Sequence, residues 1–149
     1  MLGTDESRCF GYDISETACT KARIDWPNFE FTLLDLTAPS ATKFRPKTSD
    51  PEGHRLFVIR ATLWCVFPKL HAVIDVIRGL MSDGDQLMVI QNFPPLDSSF
   101  VGKDVIPDHI ALLKHFSVAF SPVRHMWFQD TLKSTNDNWF IGLFSTKDK

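Results

Sequence analysis

Two aspartates stand where short apolar runs end: Asp13 after Phe10-Gly11-Tyr12, and Asp35 after Phe31-Thr32-Leu33-Leu34. If each run is a strand, each carboxylate lies at a carboxyl tip, where open α/β sheets bind ligands. A carboxylate at Asp13 offers two oxygens that match the vicinal hydroxyls of a ribose. It equally suits a helix start, close to the N-terminal dipole of the segment that follows. Asp35 can accept a hydrogen bond from an adenine amino group while Ile14 and Leu36 flank the ring with apolar surface. Its other reading is a loop residue organising the turn at Thr37. Two such residues in consecutive strand–helix units favour a nucleoside ligand more than either does alone.

Other candidates lie further along. Gln91-Asn92-Phe93 follows a third apolar run and can line an acceptor pocket, or can be a turn ended by Pro94 and Pro95. Trp64 and Phe67 can wall such a pocket or pack in the core. His125 is a candidate base for removing an acceptor proton, against a structural role beside Trp127; His109, near a helix start, is no better placed. Cys9, Cys19 and Cys65 are odd in number without CxxC spacing, and the five His are scattered, so neither a disulfide framework nor a zinc site is signalled.

The elements that must hold these residues follow from periodicity. Ser15 suits an N-cap, and Ala18, Cys19 and Ala22 give a small-residue helix face. A second strand is expected over 29–36, then a polar loop over 37–54 holding at most one short turn. The nearly continuous apolar run at 56–59 reads as a strand buried on both faces. Pro68 looks like a helix-starting proline, and Leu70, Val73, Ile74, Ile77, Leu80 and Met81 recur at helical spacing. Ser82-Asp83-Gly84-Asp85 is a turn whose glycine can take positive φ. A strand over 86–91, a helix over 108–116 and strand-like runs at 123–128 and 139–144 complete the order. Alternating strands and helices argue for a parallel sheet covered on both faces, closed by an antiparallel hairpin at one edge.

Size and charge set the remaining bounds. A chain of 149 residues with 44% hydrophobic content suits one domain, 1–149. Sixteen basic against 18 acidic residues give a net charge of −2, no electrostatic reason to expect nucleic acid or an anionic membrane as partner. Thirteen Phe against one Tyr point to a Phe-rich core. With no signal-peptide pattern and no bilayer-length apolar run, a cytoplasmic protein is expected.

The segment Phe10-Gly11-Tyr12-Asp13-Ile14-Ser15-Glu16-Thr17-Ala18 resembles the GxDIS-E-A passage of class I S-adenosylmethionine-dependent methyltransferases. Phe31-Thr32-Leu33-Leu34-Asp35-Leu36 resembles the next motif of that family. The stretches 56–67 and 68–81 are similar to its fourth strand and helix, and 82–90 to its L-x-P-G-G-x-L-x-I turn and strand. The resemblance implies a Rossmann-like three-layer sandwich, mostly parallel, with a C-terminal antiparallel hairpin. It implies S-adenosyl-L-methionine as cofactor, with Asp13 on the ribose hydroxyls, Ile14 and Leu36 beside the adenine, and Asp35 on its amino group. Arg60, Ala61 and Thr62 would lie beneath the methionine part and beside the acceptor.

The chain departs from the family pattern in three places. His54-Arg55 replaces the usual FD, and Asp85 replaces the second glycine of the turn. The first strand and its GxGxG loop would precede Arg8, where only residues 1–7 stand, so the domain is expected to be partial. Without that strand the second and fourth strands present unpaired backbone groups or must pair with each other, and without that loop cofactor binding by these residues alone is expected to be weak or absent. The implied function is methyl transfer to an oxygen or nitrogen of a small-molecule acceptor, or an inactive remnant of such an enzyme. The alternatives are an NAD-type Rossmann oxidoreductase, which also places an acidic residue at its second strand tip, and a non-catalytic fragment or binding module.

Overall fold

The computed structural model describes residues 9–46, 53–95, 97–131 and 137–147. Residues 1–8, 47–52, 96, 132–136 and 148–149 lie outside the described residues. The chain forms two compact units, Met1–Gly53 and His54–Lys149.

In the N-terminal unit, β1 (Phe10–Asp13) and β2 (Glu30–Leu33) pair in parallel, with Asp13 opposite Leu33. Between them runs α1 (Glu16–Asp25), started by Ser15, whose hydroxyl accepts the Ala18 N–H at 3.1 Å. That satisfies one of the helix's orphan donors. The helix ends at Trp26, and Arg23 ties it to β2 by donating to the Phe31 carbonyl from Nε and Nη2 at 3.1 and 2.6 Å. Of the small-residue face only Cys19 is buried; Ile24 and Trp26 are exposed. The polar loop after β2 holds one 3₁₀ turn, Pro39–Lys43, whose Ala41 is buried.

The C-terminal unit is a four-stranded sheet in the order β3-β4-β6-β5. Strand β3 (Leu56–Arg60) runs parallel to β4 (Gln86–Phe93); β6 (Asn138–Thr146) lies antiparallel to both β4 and β5 (Phe120–Gln129). Two 3₁₀ turns, Leu63–Cys65 and Phe67–Lys69, lead into α2 (Leu70–Leu80). Pro68 therefore sits in the turn before the helix. Asp108 caps α3 (His109–Ala119) by accepting the Ala111 N–H at 2.8 Å.

One face of this sheet carries the core. Leu87, Val89, Phe93, Phe140 and Phe144 are at 0% exposure, and Phe116 of α3 lies 5.5 Å from Phe144, ring to ring. The other face keeps Leu56 and Val58 at 53% and 54% exposure, with Met88, Ile90, Ile141 and Leu143 half-buried. One sequence expectation is corrected here: strand β3 is not buried on both faces, since Leu56, Val58 and Arg60 are exposed and among the described residues it pairs with β4 alone.

Gly84 adopts the expected positive φ (86°) in the turn before β4. Its neighbour Asp85 is 1% exposed and accepts N–H groups from the backbone of Ser82 (2.7 Å) and Arg55 (2.8 Å). The Arg55 side chain adds Nε and Nη2 at 3.0 and 2.6 Å, and donates to the Leu80 carbonyl at 2.9 Å. Burial pushes the Asp85 carboxyl up, but the Arg55 and backbone donors outweigh it and hold its pKa below the usual range.

Candidate functional site

At the tip of β1 the Asp13 carboxylate accepts the Ser15 N–H at 2.8 Å, and the Asp13 carbonyl accepts the Leu34 N–H at 2.8 Å. The helix-start reading of Asp13 therefore holds in part: one carboxylate oxygen organises the entry to α1. Ile14, next along, is 63% exposed. Just beyond β2, Asp35 Oδ1 accepts both the Thr37 N–H (2.8 Å) and the Thr37 hydroxyl (2.7 Å), closing a tight turn. That turn fixes the direction of the carboxylate.

An open cleft of about 490 Å³ lies at these tips, lined by Ile14, Leu33, Leu34, Asp35, Ser40, Lys43 and Phe44. Ile14 and Asp35 thus share one cavity. Asp13 is adjacent to it in sequence without lining it. Leu36 does not line it either; the apolar wall is supplied instead by Leu33, Leu34 and Phe44. Phe44 packs edge-to-face on Tyr12 at 5.2 Å, which holds the 3₁₀ turn over the strand ends. A second open groove, about 570 Å³, runs between α1 and β2 and contains none of the strand-tip residues.

In the C-terminal unit the end of β3 is strained. Ala61 has φ = 52°, the left-handed region that a residue with a Cβ enters only at a cost. Its N–H is held by the Ile90 carbonyl at 2.8 Å, so the strand ends on a fastened, sharp turn. Arg60, Ala61 and Thr62 are all exposed there. Strain at a strand's carboxyl end is a recurring mark of functional sites.

The acceptor candidates divide by burial. Gln91 and Phe93 are at 0% exposure; Trp64 and Asn92 are half-buried. Trp64 Nε1 reaches Asn92 Oδ1 at 3.4 Å, and its ring meets Phe67, Phe93 and Phe100 at 5.3–5.8 Å. Gln91 donates to the Asn92 carbonyl at 2.8 Å, but its Oε1 is buried without a partner among the described residues.

His125 is exposed on β5, opposite Gly142 of β6. The more distinctive histidine is His109. It stacks on Trp127 at 3.9 Å and 14°, with Nδ1 buried and unpartnered among the described residues. Burial depresses its pKa first and His125 adds to this, while Asp108 opposes. Its sequence signal was only the helix-capping aspartate before it. Among the described residues no group of three or more His, Cys, Asp and Glu is placed to hold a metal ion, and no helix is long and apolar enough to cross a membrane.

The fold is similar to that of solved S-adenosylmethionine-dependent methyltransferases. The N-methyltransferase NodS from Bradyrhizobium japonicum, solved with S-adenosyl-L-homocysteine, matches with a TM-score of 0.66 at 14% identity, over 95% of this chain and 68% of that one. A TehB-like SAM-dependent methyltransferase from Corynebacterium glutamicum matches at 0.55 and 12%, over 94% and 68%. TehB from Haemophilus influenzae matches at 0.61 and 11%, over 94% and 50%. At such identities the likeness is one of fold. No protein-family model and no curated protein sequence matches the chain.

Proposed function

We propose that this chain takes S-adenosyl-L-methionine as its cofactor and serves methyl transfer to an oxygen or nitrogen of a small-molecule acceptor. The observation that carries this is the cleft at the ends of β1 and β2. It combines an apolar wall (Ile14, Leu33, Leu34, Phe44) with one oriented carboxylate (Asp35), the chemistry an adenine ring requires. Asp13 serves the ribose hydroxyls from the β1 tip. Arg60, Ala61 and Thr62, at the fastened end of β3, serve the methionine part, and Trp64 and Asn92 the acceptor.

The cofactor's sulfonium supplies an activated methyl group, so the protein's task is to hold and align. His125 and His109 are the candidates for taking a proton from the acceptor. His109, its pKa held down, is neutral at pH 7 as a base must be. The 149 residues contain no GxGxG sequence, so binding here rests on the nucleoside end and is weak.

Amide chemical shifts suit weak binding. Titration of the ¹⁵N-labelled chain with S-adenosylhomocysteine is expected to move residues 13–14, 33–35 and 40–44. Asp35→Ala should weaken that binding by about tenfold, the loss of one hydrogen bond to a charged group. Tighter binding of NAD than of S-adenosylhomocysteine would overturn the assignment in favour of an oxidoreductase.

A second reading, a non-catalytic binding module, draws on the two separate sheets. Among the described residues the strands form two sheets, β1-β2 and β3-β4-β6-β5. Absence of any nucleoside-induced shift would favour it.

A further inference from the structure

Away from the strand ends, two histidines meet across the helices of the C-terminal unit. His71 is exposed on α2 and His115 half-buried on α3, with ring centroids 4.9 Å apart and planes inclined by 55°. This is not a stack of the kind His109 makes with Trp127, at 3.9 Å and 14°. It is a separation at which two imidazoles can share one ion. With metal–nitrogen bonds of about 2.0–2.1 Å, each centroid lies about 3.2 Å from the ion, and ligand angles of about 90–110° put the centroids about 4.5–5.2 Å apart.

We propose that His71 and His115 form a surface site for a borderline divalent transition-metal ion such as Ni²⁺, Cu²⁺ or Zn²⁺. Two imidazole nitrogens bind the ion, water fills the remaining positions, and the ion clamps α2 to α3. Two neutral nitrogens without a carboxylate select against Mg²⁺ and Ca²⁺.

The test is calorimetric titration of the untagged full chain with Ni²⁺ and with Mg²⁺. One Ni²⁺ per chain is expected, with no Mg²⁺ uptake. His71→Ala should weaken Ni²⁺ binding by at least about tenfold, since loss of even an outer-shell partner costs that much. His71 is exposed, so this variant keeps the fold even if His115→Ala does not. Substoichiometric Cu²⁺ should broaden the imidazole resonances of both residues before any others. Failure of the wild-type chain to bind Ni²⁺, affinity unchanged in His71→Ala, or broadening centred elsewhere, as at the exposed thiol of Cys65, would each overturn the proposal.

Discussion

The two units divide the labour unevenly. Among the described residues of the N-terminal unit only Cys19 and Ala41 are buried, yet this unit holds both strand-tip aspartates and the nucleoside-sized cleft. The C-terminal unit holds the rest of the core, six fully buried phenylalanines among it, and a four-stranded sheet under two helices. The unit richest in candidate ligand chemistry is thus the one with least apolar burial to stabilise it. Two strands and one helix sit near the lower limit of what stands unaided in water. Recognition is concentrated where the fold is thin.

The largest expected effect lies in the thicker unit. Arg55→Ala leaves Asp85 buried with only its backbone donors, and breaking a buried pair in this way costs about 3–5 kcal/mol. Urea unfolding followed by the signals of β4 and β6 measures it. Asp85→Ala should also destabilise, and the double variant should cost less than the two single costs added, since the residues act as one unit. Additive costs would show that the pair is not coupled.

This pair also shows what the sequence could and could not reveal. Arg55 and Asp85 were each visible as a departure from the family pattern, one at the start of a strand and one in a turn. Nothing local says that they compensate each other, because they stand 30 positions apart and meet only through the parallel register of β3 on β4. Elements set by local signals were legible: the Ser15 and Asp108 caps, the Gly84 turn and the amphipathic α2. Strand ends were less so; β2 stops at Leu33 because Asp35 and Thr37 already form their own turn. In the cleft, Ile14 and Asp35 could be read from the strand tips. Lys43 and Phe44 could not, since a polar loop brings them there and only the Phe44–Tyr12 contact explains their placing.

Hydrogen exchange tests the comparison directly. Amides of β1 and β2 should open with about 3 kcal/mol less free energy than those of β4 and β6, an exchange rate faster by about two orders of magnitude. Equal protection in the two units would mean that burial in the C-terminal unit is not what sets local stability.

Lowering the pH should sharpen the contrast from the other side. Asp85, His109 and His115 all belong to the C-terminal unit, and the folded state depresses all three pKa values. For each, the unfolded chain takes up its proton at higher pH than the folded one. The contribution is complete above the unfolded value, near 6.5 for His and about 4 for Asp, and is lost as pH falls through the folded one. Urea midpoints should therefore decline below about pH 6.5, with a further decline below about pH 4 that Asp85→Asn removes. A midpoint that rises on acidification would contradict the direction of these shifts.

The smallest effect concerns Ala61, the one non-glycine residue with positive φ among the described residues. Ala61 holds a left-handed conformation that glycine adopts freely, while glycine costs more backbone entropy on folding. The balance favours Ala61→Gly by about 0.5–1 kcal/mol. The thermal midpoint should rise slightly, measured against an exposed-site control such as Ala72→Gly on α2, which should lower it. If Ala61→Gly destabilises instead, the fastening of its N–H to Ile90 depends on the alanine side chain, and the end of β3 is a packed corner rather than a strained one. If it stabilises while weakening binding of methionine-bearing ligands relative to adenosine alone, the strain is being held for a site. The functional cost would then fall in both units, as thin burial around the cleft in one and as a single strained residue in the other.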